Sequence, residues 1–312
     1  MTEARPRSGT AARGRQGTYS IVARDPGTGE LGVAVQSHWF SVGPLVPWAM
    51  PGVGAVATQA NIRVAYGPEA LELLAGGASA QEALSELLAK DSGGHGRQVA
   101  IVDAQGRVAA HTGSACMAFA GQVVGEQVSC QANIMANEAV WGRMHEAFSQ
   151  ASDSLTERLL AALDAGEAAG GDIRGRQSAA ITVVPAVGAR WETTVSLRVE
   201  DHPEPLIELR RLVGLHEAYV LAGRADDLTN QGRHSDAAPL YVRAAELAPD
   251  NHELLFWSGL AAVESGDVGT GIARVREAIR LQDGWAELLP RLSAEVSPAA
   301  ALVSERLGLA DG

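Results

Sequence analysis

From Thr18 the chain reads TYSIVAR, DPGTGE, LGVAVQS: Tyr19, Ile21 and Ala23 recur on one side, a turn carrying proline and glycine follows, and the apolar alternation resumes. A period of two on both sides of such a turn specifies a β-hairpin. A hairpin is not stable alone and must bury a face, so the elements that follow decide the architecture.

They come in clusters. A third strand is read in GVGAVATQA (52–60), behind GPLVPWAMP, which reads as irregular. GPEALELLAGG and SAQEALSELLAKD then read as two helices, the second opened by Ser79 and Glu82 at capping-box spacing. Strands return in RQVAIVDAQGRVAAHTG, a hairpin turning at Ala104, Gln105 and Gly106, and in QVVGEQVSCQA (122–132). Two helices follow, EAVWGRMHEAFSQA and LTERLLAALDAGEAAGG, then two closing strands, RQSAAITVVPA and WETTVSLRVED, ending near residue 201. Hairpins and helix pairs, rather than alternating βαβ units, exclude a doubly wound nucleotide-binding sheet and favour antiparallel sheets covered by helix pairs. The fold class expected is α+β, with two stacked sheets between two helical layers over 18–201.

Past HPEP the sequence is helical, and a repeat emerges over 206–312. Gly232 and Gly266, Ala244 and Ala278, and Leu247 and Leu281 each stand 34 residues apart, with small residues at Ala225 and Gly259 where paired helices must touch. Over about 216–285 this resembles tetratricopeptide repeats. Two helical pairs are fewer than the three or so that make an independent solenoid. They are therefore expected to dock on the first domain, on a second subunit in a homo-oligomer such as a dimer, or on a protein partner.

Composition narrows the chemistry. A net charge of −12 without basic blocks argues against nucleic-acid binding or an anionic membrane surface, which leaves a small-molecule substrate or a protein partner. Lys90 is the single lysine and ends a helix, a poor place for a buried base. Two cysteines, Cys116 and Cys130, form neither a disulfide framework nor a zinc motif, and the 8 histidines show no ligand spacing. No metal and no cofactor are expected, and reduced thiols fit a cytoplasmic location. Residues 1–17, MTEARPRSGTAARGRQG, lack the apolar core of a signal peptide and read as a disordered leader.

A threonine that opens a strand usually serves β propensity. At a chain's N-terminus, however, its hydroxyl becomes a nucleophile, because the α-amine, with a pKa of about 7.7 to 8.0, can take the proton. Cleavage of the bond between Gly17 and Thr18 would create that terminus. TYSIVARDPGTGELGVAV, VPWAMPGVGAVATQA, VDAQGRVAAHTG and GGDIRGRQSAA together resemble the domain of unknown function 1028 family, an N-terminal-nucleophile (Ntn) hydrolase-like group, over about 18–200. The resemblance implies a four-layer αββα sandwich with the nucleophile at Thr18. It leaves three routes to a free Thr18: self-cleavage, a protease, or a later chain start. The lysine that proteasome β subunits carry on the third strand is absent, with Gln59 and Asn61 at the corresponding strand end.

Polar groups at strand ends supply the other candidates. Ser37 and His38 follow the second strand, His38 as a proton-transfer group. Gln131 and Asn133 follow a strand and precede a helix, where Asn133 can present an oxyanion-hole donor, whereas Asn137 suits a helix cap. Asp172 is a candidate to orient Thr18 or its amine. Arg174 or Arg176 would fork onto a substrate carboxylate, with Gln177, Ser178, Gln59 and Asn61 as further substrate contacts. The function read from these residues is an Ntn-type amidohydrolase acting on a small amide or related carbonyl. The alternative is a non-catalytic scaffold whose repeats recruit a protein.

Overall fold

The computed structural model describes residues 17–309; the expected leader, apart from Gly17, lies outside the described residues. The chain divides into two units between Arg210 and Arg211.

In the first unit the hairpin forms as β1 (Thr18–Arg24) and β2 (Leu31–Ser37), with Thr18 opposite Ser37 and Arg24 opposite Leu31. Asp25 builds the turn by accepting the amides of Gly27 and Thr28, each at 2.8 Å. The hairpin becomes the middle of a six-stranded antiparallel sheet of order β10-β9-β2-β1-β8-β7, completed by β7 (Gly121–Gly125), β8 (Val128–Asn133), β9 (Ser178–Val184) and β10 (Val195–Val199). A second antiparallel sheet has the order β3-β4-β5-β6: β3 (Pro47–Met50), β4 (Gly54–Ala60), β5 (Arg97–Asp103) and β6 (Val108–Thr112).

The strand β3 corrects the reading of GPLVPWAMP as irregular. Pro47 cannot donate to a ladder, and β3 lies at the sheet edge as its first residue requires. QVVGEQVSCQA is likewise a hairpin, turned at Gln127 with φ 59°.

The two sheets share an apolar layer: Val22, Val33, Val35, Ala180 and Val184 from one meet Ala55, Ala57, Ala100 and Val102 from the other, all buried. On the outer face of the smaller sheet, α1 (Tyr66–Ala75) and α2 (Ala80–Ala89) bury Leu71, Leu74, Leu84 and Leu87 against Val56, Val99 and Ile101. The capping box at Ser79 and Glu82 is made in both directions. On the outer face of the larger sheet lie α3 (Val140–Gln150) and α4 (Leu155–Ala168), packed on β1, β2 and β8. Gly32 lets α4 approach, since a Cβ there would sit 2.6 Å from Leu159.

The second unit is helical. It takes the later part of α5 (Pro205–Asn230), then α6 (His234–Leu247), α7 (His252–Glu264), α8 (Val268–Leu281), α9 (Gly284–Leu288) and α10 (Ala300–Leu307). Gly232 and Gly266 both take the left-handed conformation, φ 73° and 98°, in the α5–α6 and α7–α8 turns. Gly259 permits the tight α7–α8 contact: a Cβ on it would come within 2.8 Å of the Gly271 carbonyl oxygen. No helix among the described residues is long and apolar enough to cross a membrane.

The start of β5 is fixed electrostatically. Arg97 Nε donates to Asp91 at 2.8 Å, and the Tyr66 hydroxyl adds a bond at 3.0 Å. The Arg97 hydrogen bond is the main cause that lowers the Asp91 carboxyl to about 2. A depressed folded-state pKa gives stability that is present above the unfolded value and lost as pH falls through the folded one. Asp91→Asn is therefore expected to cost about 1 kcal/mol near neutrality, a solvent-discounted figure, with the gap to the unsubstituted protein closing from pH about 4 to about 2 in thermal melts.

Candidate functional site

Toward the Thr18 end of the strands the layer between the sheets changes from apolar to polar. The side chains of Thr18 and Ser20 on β1, Ser37 on β2, Gln59 on β4, Gln98 on β5 and Ser129, Gln131 and Asn133 on β8 are all buried, at 1% exposure or less. Each must find a partner inside, because a buried unpaired polar group costs about 1–3 kcal/mol.

They find one another. Ser129 donates to Gln131 Oε1 (2.9 Å), Gln131 Nε2 to Ser20 Oγ (2.6 Å), and Ser20 to Gln59 Oε1 (2.6 Å). Gln59 Nε2 donates to Gln98 Oε1 (2.7 Å) and to the Thr18 carbonyl (3.2 Å). Asn133 Nδ2 donates to Gln98 Oε1 (2.9 Å) and lies 3.4 Å from the Thr18 carbonyl. Gln98 Nε2 closes the network on Thr112 Oγ1 (2.8 Å) and the Ala132 carbonyl (2.9 Å). This neutral lattice fixes the backbone of Thr18 from the opposite sheet.

Around Thr18 Oγ1 the geometry is closer still. Ser37 Oγ lies 3.1 Å from it and 2.5 Å from the Gly17 carbonyl oxygen. A hydroxyl has one hydrogen, and the Gly17 oxygen can only accept, so Ser37 donates to Gly17 and Thr18 donates to Ser37. Arg174 Nη2 gives the same Gly17 oxygen a second bond at 3.0 Å. The carbonyl that precedes Thr18 is thus held by a hydroxyl and a guanidinium, while the Thr18 hydroxyl points its proton along the same path.

Asp172 holds Arg174 in place. Its carboxylate is fully buried and accepts Arg174 Nη2 at 2.7 Å, Nε at 3.0 Å, the Arg174 amide at 3.0 Å and the His38 amide at 3.3 Å. The loop carrying both is anchored through α4. Tyr19 donates to Glu167 at 2.7 Å, and Arg176 Nε donates to the other oxygen at 2.5 Å. Burial, reinforced by the Glu167 charge, keeps the Tyr19 hydroxyl protonated far above its ordinary range.

The structure brings Thr18, Ser37, Gln59, Asn133, Asp172 and Arg174 together. The others support from outside. The His38 ring meets the Arg176 carbonyl at 3.3 Å. Arg176 is taken by Glu167 and Glu204, and the Glu167 hydrogen bond raises its pKa. Gln177 binds Asp201 at 3.2 Å, and Ser178 donates to the Trp39 carbonyl at 2.5 Å. Asn61 lies past β4, its carbonyl accepting Arg97.

One placement differs from the sequence reading: Asn133 is the last residue of β8 rather than following it. Ser37, Gln59 and Gln131 lie at the ends of β2, β4 and β8, within the runs LGVAVQS, GVGAVATQA and QVVGEQVSCQA. Ser20 and Gln98 went unread; their signal is a polar residue at alternate positions of otherwise apolar strands. Asn137 takes up turn chemistry, accepting the Ala139 amide and donating to the Ala169 carbonyl. No cluster of three His, Cys, Asp or Glu suited to a metal occurs among the described residues.

Residues 18–209 match the family of unknown function DUF1028, and the chain belongs to that family. A crystal structure of a DUF1028 protein from Silicibacter pomeroyi is similar at 34% identity, covering 63% of this chain and 84% of that one with a TM-score of 0.58. The ancestral β-subunit Anbu from Yersinia bercovieri matches at 14% identity over 63% of this chain and 93% of that one, TM-score 0.32. No curated protein matches the sequence.

Proposed function

We propose that the first unit is an N-terminal-nucleophile hydrolase of αββα arrangement that frees its own Thr18 and then cleaves a small amide or related carbonyl compound. The chain of hydrogen bonds from Thr18 to Ser37 to the Gly17 carbonyl carries this reading.

In the uncut chain the Thr18 nitrogen is acylated and cannot act as a base. Thr18 Oγ attacks the Gly17 carbonyl carbon, its proton passes to Ser37, and the Ser37 proton passes to the carbonyl oxygen. Arg174 stabilises the charge that develops on that oxygen. Collapse breaks the bond to nitrogen, which takes up the proton, and leaves Gly17 as an ester on Thr18; water hydrolyses the ester. In the cut chain the Thr18 α-amine takes the hydroxyl proton, the substrate acyl group is transferred to Oγ, the proton goes to the leaving amine, and water restores the enzyme. We read the helical unit as tetratricopeptide-like pairs for self-association or partner binding, which the matching left-handed turns at Gly232 and Gly266 support.

Intact mass and N-terminal sequencing of purified protein test the processing step. Chains that begin at Thr18 are expected. If every chain keeps residues 1–17 and the protein is inert in an amide screen, the hydrolase reading is lost and a binding scaffold takes its place.

A further inference from the structure

The position of Gly17 restricts what can be joined to Thr18. A Cβ built on Gly17 would lie 2.5 Å from Asp172 Oδ2, 2.7 Å from Arg174 Nη2 and 2.9 Å from Asp172 Cγ. Those atoms are not free to retreat. The Asp172 carboxylate has no exposed surface, Arg174 grips both its oxygens, and the amides of His38 and Arg174 bind it as well. Arg174 Nη2 is itself fixed by the Gly17 carbonyl.

We infer that this ion pair is a wall that selects the acyl group: the enzyme accepts glycyl and other acyl groups with an unbranched α-carbon and rejects those branched in the sense of an L-amino acid. The inference rests on Thr18 being the nucleophile. The ester left on Thr18 by processing and the acyl-enzyme formed from a substrate are both esters of the same Thr18 hydroxyl, and on this inference each carbonyl oxygen sits where the Gly17 oxygen lies, between Ser37 and Arg174. The wall that admits only glycine in the first therefore applies to the second. Ser37 and Arg174 recognise the carbonyl, and Asp172 limits its neighbour.

Chains starting at Thr18, released from a fusion by a site-specific protease, can be treated with the p-nitrophenyl esters of N-acetylglycine and N-acetyl-L-alanine. Thr18 Oγ attacks the ester carbonyl, its proton moves to the α-amine, and the bond to p-nitrophenolate breaks. Release of p-nitrophenolate and an intact-mass adduct mapped to the Thr18 hydroxyl report acylation. Thr18→Ala, which keeps the α-amine, sets the background. With each rate divided by that ester's hydrolysis in buffer, the glycyl ester is expected to react about tenfold faster or more, the range for forcing one methyl group into a packed site. In the full chain, Gly17→Ala should slow cleavage by a similar factor. Equal corrected rates overturn the acyl selection and leave the nucleophile reading intact. A hydroxyl adduct from neither ester overturns both.

Discussion

Thr18→Ala chains are expected to stay joined at residues 17 and 18, and Ser37→Ala chains to separate about 10²–10³-fold more slowly than the unsubstituted protein, the usual cost of one oxyanion donor. Thr18→Ser, which keeps a hydroxyl in the same place, should still be cut. The difference follows from the bonding. In the proposed reaction Thr18 is the attacking group and has no substitute, whereas Ser37 would both receive the Thr18 proton and bind the Gly17 oxygen, which Arg174 also binds. Intact mass followed over time gives the cleaved fraction, and thermal unfolding separates lost chemistry from a lost fold. Cleavage of Ser37→Ala at the unsubstituted rate would remove Ser37 from the reaction.

The parts of the molecule that are legible in its sequence are those set by local rules. The DPGTGE turn and its flanking period of two specify β1 and β2, and the spacing of Ser79 and Glu82 marks the start of α2. Less local features are hidden. β3 starts at a proline and pairs along one side only, so neither propensity nor period announces it. Gln131 and Asn133 resemble the end of a strand because polar residues on a buried face make sense only when the opposite sheet presents Gln59 and Gln98.

The same holds for charge. GGDIRGRQSAA contains two arginines of equal promise, and only the tertiary structure distinguishes them. Glu167 on α4 and Glu204 before α5 take Arg176, while Asp172 turns Arg174 toward Gly17. Thr18, at the head of β1, is a candidate only through a chemical argument about chain ends. Ser37 stands out by its position at the end of β2, but its 2.5 Å bond to the Gly17 carbonyl, on which the proposed relay rests, is visible only in the tertiary structure.

The Asp172–Arg174 pair should show a marked asymmetry in stability. Asp172 is wholly enclosed, whereas 27% of the Arg174 side chain reaches solvent. Arg174→Ala strands a buried carboxylate with only backbone donors, so a loss of about 3–5 kcal/mol is expected. Asp172→Ala leaves a guanidinium that water can reach and should cost less, about 2 kcal/mol, most of it from unpaired donors. Removing both side chains removes the stranded charge too, so the double variant should fall short of the summed losses by about 2 kcal/mol. Denaturant unfolding in a Thr18→Ala background, where all chains remain uncut, measures the four states of the cycle without mixing in processed protein. Additive losses would mean that the two groups do not stabilise one another, and the wall inferred beside Gly17 would then lack the rigidity that excludes a methyl group.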